Sequence, residues 1–258
     1  MTAPLRTAIT LFTALPVPTS SHEDVTPSRA RAAVAWLPIV GAGLGALAAL
    51  PAVAIVSGDR YQLFLSAVIS VVVLTLLTRG LHLDGLADAA DGLGSRAPAE
   101  RALEIMRRSD IGPFGVLAIV LVVLLDISAL TELPFHSDWT MCAALATAAA
   151  TGRLAVVHAC LPGTTAARPD GFGALVAGGI RPGTAVLETA AVLGLGSALA
   201  ASVDADALAW PVAQAAALAI AWLVRVHATR RFGGITGDVF GALVEITTAL
   251  TLVGLALS

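Results

Sequence analysis

Three aspartates carry the most chemistry in this 258-residue chain. They lie in HLDGLADAADG, residues 82–92, where Asp84, Asp88 and Asp91 are spaced i, i+4, i+7. On an α-helix those positions fall within roughly 60° of one another. Like charges at i,i+4 destabilise an isolated helix, and the stretch holds no Arg or Lys to offset them. A cation should therefore face this ladder. Magnesium suits it, being bound commonly through one or two carboxylates plus substrate phosphates. A solvated acidic helix end is the plainer reading. Against it, the stretch follows directly on a long apolar run in a charge-poor chain.

Two further clusters could meet such an ion and an anionic cargo. Pro98 suits a first helical turn, and RALEIMRRSD at 101–110 reads as a helix ended by Gly112-Pro113. Arg101, Glu104 and Arg108 then share a face, either as surface pairs or as an arginine wall that holds a diphosphate. In RRFGGITGDVFG, residues 230–241, Gly233-Gly234 and Gly237 allow a tight turn whose N–H groups approach an anion. Arg230 and Arg231 flank that turn, and Asp238 opens the next apolar run. It is not a P-loop, since no Gly-Lys-Ser/Thr follows. Residues 162–182, rich in Pro and Gly, read either as a loop over a site or as a flexible connector.

The elements that must position these clusters are membrane spans. The chain is 57% hydrophobic and only 13% charged, with a mean hydropathy of +0.87. A soluble domain carries about 25% charged residues. Seven apolar stretches approach the roughly 20 helical residues that cross a bilayer: 32–57, 61–79, 112–131, 139–161, 183–203, 207–226 and 239–257. The expected fold is an all-α polytopic bundle, one domain over 1–258, with an N-terminal interfacial segment at 1–31 and an active-site connection at 80–111. In the first span, Pro38, Pro51 and Gly41-x-Gly43-x-Gly45 predict a kink or tight packing against a neighbour. Leu5, Ile9 and Phe12 form a helical stripe, and no small-x-small cleavage site follows. An interfacial or bundle-packed helix is expected there, not a signal peptide.

Orientation follows from the arginines. There is no Lys, and fourteen of fifteen Arg fall on one side of the seven-span reading, Arg60 being the exception. The positive-inside rule then places the N-terminus, residues 80–111 and residues 227–238 in the cytoplasm. A net charge of −3 gives no reason to expect nucleic acid. Membrane lipid is an expected partner, and a homo-oligomer stays open. Cys142 and Cys160 would lie about 27 Å apart on one helix, too far to bond. Asp126, Arg153, His158, Glu188 and Glu245 lie within spans and need partners. They also admit a transporter as a rival reading, although the densest acidic cluster sits at a span edge and no internal repeat stands out.

LFTALPVP at 11–18, WLPIVG at 36–41, HLDGLADAADG at 82–92, RALEIMRRSDIGPFG at 101–115 and GGITGDVFGALVE at 233–245 together resemble the cobalamin synthase family, the adenosylcobinamide-GDP ribazoletransferases. The resemblance spans nearly the whole length. It departs from the family pattern at Arg79-Gly80, usually Gly-Gly, at Arg108-Ser109-Asp110, usually acid-Ser-base, and at Thr248, often an acid. It implies a magnesium-dependent enzyme of the bacterial cytoplasmic membrane. That enzyme transfers the adenosylcobinamide-phosphoryl group from adenosylcobinamide-GDP to α-ribazole or its 5′-phosphate, and GMP leaves. On this reading Asp84, Asp88 and Asp91 hold magnesium. Substrate-contacting candidates are Arg101, Glu104, Arg107, Arg108, Ser109, Gly233, Gly234, Thr236, Gly237 and Asp238. Asp91 is the first choice as general base, with Asp238 completing the metal site or orienting the acceptor. His82 is the second choice as base. On a continuous helix it points about 160° from Asp84, so it reaches the site only if the helix breaks at Gly85. A CDP-alcohol phosphotransferase is the enzymatic alternative, but after Asp84-Gly85 the Ala-Arg of its motif is missing.

Overall fold

The computed structural model describes residues 2–17, 25–55, 60–134 and 136–258. Pro18, the end of the first expected span at 56–57, and the Arg60 side chain lie outside the described residues. The described chain forms twelve helices in the order α1 (Ala3–Phe12), α2 (Pro27–Val34), α3 (Leu37–Ile55), α4 (Arg60–Leu77), α5 (Leu81–Gly94), α6 (Ala99–Ile105), α7 (Pro113–Glu132), α8 (Thr140–Ala159), α9 (Gly171–Val176), α10 (Pro182–Ser202), α11 (Ala209–Phe232) and α12 (Gly237–Ala256). Among the described residues six of these, α3, α7, α8, α10, α11 and α12, are each long and apolar enough to cross a membrane. α4 and α5 pass that test only together, and an 88° bend separates them. We read α4 as the seventh span and α5 as lying across the end of the bundle, outside the spanning segments.

α8 is the axis of the bundle. It is alanine-rich and 94% of its span is buried, so backbones approach it closely. Gly41 and Gly45 of α3 face it: a Cβ on them would meet the carbonyl oxygens of Ala149 and Leu145. Gly43 faces open space. The expected tight packing is therefore real at two of the three glycines. Some polar groups within the spans pair with one another: Gln214 donates to Thr151 Oγ1 at 2.9 Å and to the Val192 carbonyl at 3.1 Å. His158 Nε2 lies 2.8 Å from Thr189 Oγ1. The two cysteines are free.

The bend that frees α5 has a local cause. Arg79 (φ 56°) and Gly80 (φ 66°) are consecutive left-handed residues, which turn the chain sharply instead of continuing the helix. The N-terminal segment secures this corner: Ala14 N–H donates to the Leu77 carbonyl at 2.7 Å, and Arg79 donates to the Leu11 carbonyl at 3.4 Å. Helix α1 thus packs on the bundle end, one of the two positions its stripe allowed. At the same end, the connection 160–181 folds back over α12. Ala166 and Ile235 form a parallel bridge, with Ala167 N–H donating to the Ile235 carbonyl at 3.0 Å and Ile235 N–H to Thr165 at 2.9 Å. The acidic stretch, the arginine segment, this loop and the glycine turn meet at one end of the molecule.

Candidate active site

α5 is one continuous helix through Gly85 and Gly92, so Asp84 and Asp88 stand one turn apart on one face. α5 crosses the first turn of α12 at glycine contacts. A Cβ on Gly241 would sit 2.8 Å from the His82 carbonyl oxygen, and one on Gly85 would sit 3.0 Å from the Asp238 carbonyl oxygen. Only glycines permit this crossing, and it brings Asp238 beside the Asp84–Asp88 face. Asp88 is half-buried, and its carboxyl is pushed up to about 7. Burial contributes most, then the neighbouring Asp238, Asp84 and Asp91, with Arg168 pulling the other way. A carboxyl so placed is short of positive charge.

That charge comes in part from a residue the sequence reading passed over. Arg168, in the loop before α9, lies 3.4 Å from Asp238 Oδ2, and the pair is largely shielded from solvent. Its other terminal nitrogen donates to the Leu103 carbonyl at 2.8 Å, tying the loop to α6. Thr236 Oγ1 stands 3.2 Å from the same Asp238 oxygen and accepts the Val239 N–H, which caps α12. Both contacts fall on Oδ2, leaving Oδ1 of Asp238 for an ion or a proton. Arg107 pairs with Asp170 of the same loop at 2.8 Å and faces Asp238 electrostatically. The signal was present in Arg168-Pro-Asp170, a charged pair in a Pro/Gly-rich loop on the arginine-rich side. Its partners are sixty to seventy residues away, a distance no local pattern reports.

Three expectations need correction. The carboxylate of Asp91 is buried, and both its oxygens accept backbone N–H groups at the start of α7: Oδ2 from Gly112 at 2.7 Å and Oδ1 from Gly115 at 2.9 Å. Asp91 therefore acts as a helix-end acceptor supplied from another helix, with both oxygens already engaged. His82 stays on the far face because α5 does not break; its ring is buried and stacks on Phe12 with centroids 6.5 Å apart. The helix expected over 101–110 stops at Ile105, so Arg108 and Ser109 lie in an exposed turn beyond it. Arg101 and Glu104 pair with each other at 2.6 Å, both more than half exposed, which is the plainer of the two readings.

The glycine turn divides its labour. Gly234 admits the backbone of the covering loop, since a Cβ there would collide with Ala166 and Ala167. Gly233 accepts a hydrogen bond from Thr165 at 3.2 Å and, in the left-handed region at φ 78°, ends α11. A Cβ on Gly237 would meet only the Phe172 side chain, in ordinary contact at 4.0 Å. Phe172 of α9 packs edge-on against both Phe12 and Phe240, with centroids 5.2 and 6.2 Å away, anchoring the loop beside the cluster.

Among the described residues no three His, Cys, Asp or Glu side chains are close enough to hold a metal ion unaided. A magnesium ion there would have at most two of these carboxylates and would take the rest of its shell from water and phosphate oxygens.

Comparison with known proteins shows the family. The family model described as cobalamin-5-phosphate synthase matches residues 4–256. A protein of Frankia casuarinae named adenosylcobinamide-GDP ribazoletransferase is 45% identical, the match covering 98% of this chain and 94% of the relative. Proteins of the same name from Syntrophobacter fumaroxidans and Citrobacter koseri are 36% and 34% identical, covering 95% and 93% of this chain and 95% and 94% of their own lengths. No solved structure matches. With the match running from α1 to the end of α12, the chain belongs to the cobalamin-5-phosphate synthase family.

Proposed function

We propose that this protein is the adenosylcobinamide-GDP ribazoletransferase of its organism. It joins the adenosylcobinamide-phosphoryl group to α-ribazole, or its 5′-phosphate, and releases GMP. The observation that carries the reading is the crossing of α5 over α12, which sets Asp88, Asp84 and Asp238 around one acidic focus with Arg168 and Arg107 at its edge. Such a focus stabilises a diphosphate only together with a divalent cation. Magnesium, held by Asp84 and Asp88 with Asp238 beside them, would neutralise the phosphate oxygens in the displacement.

The chain's own groups do the remaining work. Arg168 holds Asp238 in place and lends positive charge beside it, where the GMP phosphate would leave. The acceptor hydroxyl attacks the phosphorus that carries the cobinamide. The diphosphate P–O bond breaks, GMP departs with the bridging oxygen, and the hydroxyl proton passes to Oδ1 of Asp238. The loop 162–170, fastened by Arg168 and by the Ala166–Ile235 bridge, covers the cluster and limits water. The arginine asymmetry supports a cytoplasmic position for this end of the bundle, with the seven spans in the cell membrane.

The test is GMP release by purified protein given adenosylcobinamide-GDP and α-ribazole, with and without magnesium. Turnover should require the ion. Asp88→Asn should lower turnover by about 10²–10³-fold, the usual loss when one electrostatic stabiliser is removed. Wild-type turnover in the Asp88→Asn protein would refute the metal assignment.

A further inference from the structure

Beneath the acidic focus the bundle contains a second polar site that the transfer reaction does not use. A cavity of about 20 Å³ lies where α4, α5, α7, α8 and α12 meet, lined by Thr75, Thr78, Asp126 and Glu245 among apolar side chains. That is room for one water-sized body. Asp126 is 7% exposed, and its Oδ1 is buried without a hydrogen-bond partner. Glu245 is the ionisable group that faces Asp126, and Arg153 of α8 faces Glu245.

The hydrogen bonds in the lining leave acceptors only. Thr75 Oγ1 donates its proton to the Val71 carbonyl at 2.9 Å, and Thr78 Oγ1 donates to the Leu74 and Thr75 carbonyls at 3.1 Å. Both hydroxyl oxygens keep lone pairs and have no further proton to give. Asp126 and Glu245 add carboxylate oxygens. Arg153 makes no ion pair with either acid among the described residues, and it donates to the Ala149 carbonyl at 3.3 Å. His82 faces Arg153 from α5 and is not part of the lining. Asp126 Oδ1, buried in the lining with no hydrogen-bond partner, is thus left unmatched inside the spans, where an unpartnered polar group is expensive. The missing partner is a small cation that accepts several oxygens.

The geometry points to a monovalent cation site, sized for sodium, formed by Asp126, Glu245, Thr75 and Thr78. Asp238 and Glu245 are seven residues apart on one face of α12, about 10 Å along its axis. Thr78 directly precedes the left-handed corner at Arg79–Gly80. A bound ion therefore ties α4, α7 and α12 together just under the bend that presents Asp84 and Asp88. The site is separate from the magnesium reading and stands if that reading fails.

The experiment is thermal unfolding of the purified protein in detergent at pH 8. Sodium chloride is titrated against N-methyl-D-glucamine chloride at constant ionic strength. Sodium should raise the midpoint by roughly 3–6 °C, as mass action predicts for a ligand well above its dissociation constant. Potassium should do much less. Asp126→Asn should abolish the sodium effect, and Asp88→Asn should keep it. If Asp126→Asn does not fold, Thr78→Val and the wild-type titration decide. Equal midpoints in sodium and N-methyl-D-glucamine would overturn the site. So would stabilisation that follows acid pH with no sodium dependence, because the occupant would then be a proton.

Discussion

At the scale of single residues, the three aspartates of one ladder have separated into two roles. Asp84 and Asp88 face the α12 crossing, whereas Asp91 closes the end of α7. The two roles predict different failures. Asp91→Asn leaves at least one of two buried N–H groups poorly matched, at a cost of about 1–3 kcal/mol. It should lower the unfolding midpoint in detergent while the magnesium concentration for half-maximal turnover stays near wild type. Asp88→Asn should do the reverse, with a near-normal midpoint and lost turnover. Spacing showed that the three carboxylates share a helical face. It could not show that glycines of another helix, Gly112 and Gly115, leave two N–H groups open to one of them. The same scale accounts for a departure from the family pattern. Arg79 sits at φ 56°, a conformation that favours the glycine usual there. Arg79→Gly should therefore keep the corner and raise stability by up to about 1 kcal/mol, less the worth of the contact to the Leu11 carbonyl, as a detergent melt would measure.

At the scale of elements, the spans were legible because hydropathy reports them directly, and six of the seven appear as single apolar helices. The glycines of α3 also declared a close contact in advance. The perpendicular set of α5 was not legible, since nothing in hydropathy distinguishes a continued helix from an 88° corner. Nor was the crossing of α5 over α12, although both of its glycines stand inside motifs the sequence analysis had marked. That crossing makes a prediction of its own. In Gly241→Ala the three atoms nearest the added methyl are all backbone, of His82 and Gly85, which cannot yield as a flexible side chain could. α5 must move off α12, parting Asp88 from Asp238. Turnover should fall by at least 10-fold, as small displacements of catalytic groups do, while the helical content measured by circular dichroism is retained.

At the scale of the whole molecule, the seven-span reading and the arginine asymmetry make one statement about orientation. α5, α6, the loop before α9 and the turn between α11 and α12 share one end of the bundle, and the chain's arginines lie on that side of the seven-span reading except Arg60 and Arg153, the latter buried inside α8. Each arginine placed on the other side would have to cross the bilayer during insertion, which sets the direction. Ser109 lies in the exposed turn at the arginine-rich end, and Ser258 lies past the last helix at the opposite end. With Cys142 and Cys160 replaced by alanine, Ser109→Cys should react with a membrane-impermeant maleimide in inside-out vesicles and be protected in intact cells. Ser258→Cys should show the opposite pattern. Labelling of Ser109→Cys from outside intact cells would invert the bundle. It would put the acidic focus on the face without nucleotide, where a GDP-activated substrate could not reach it.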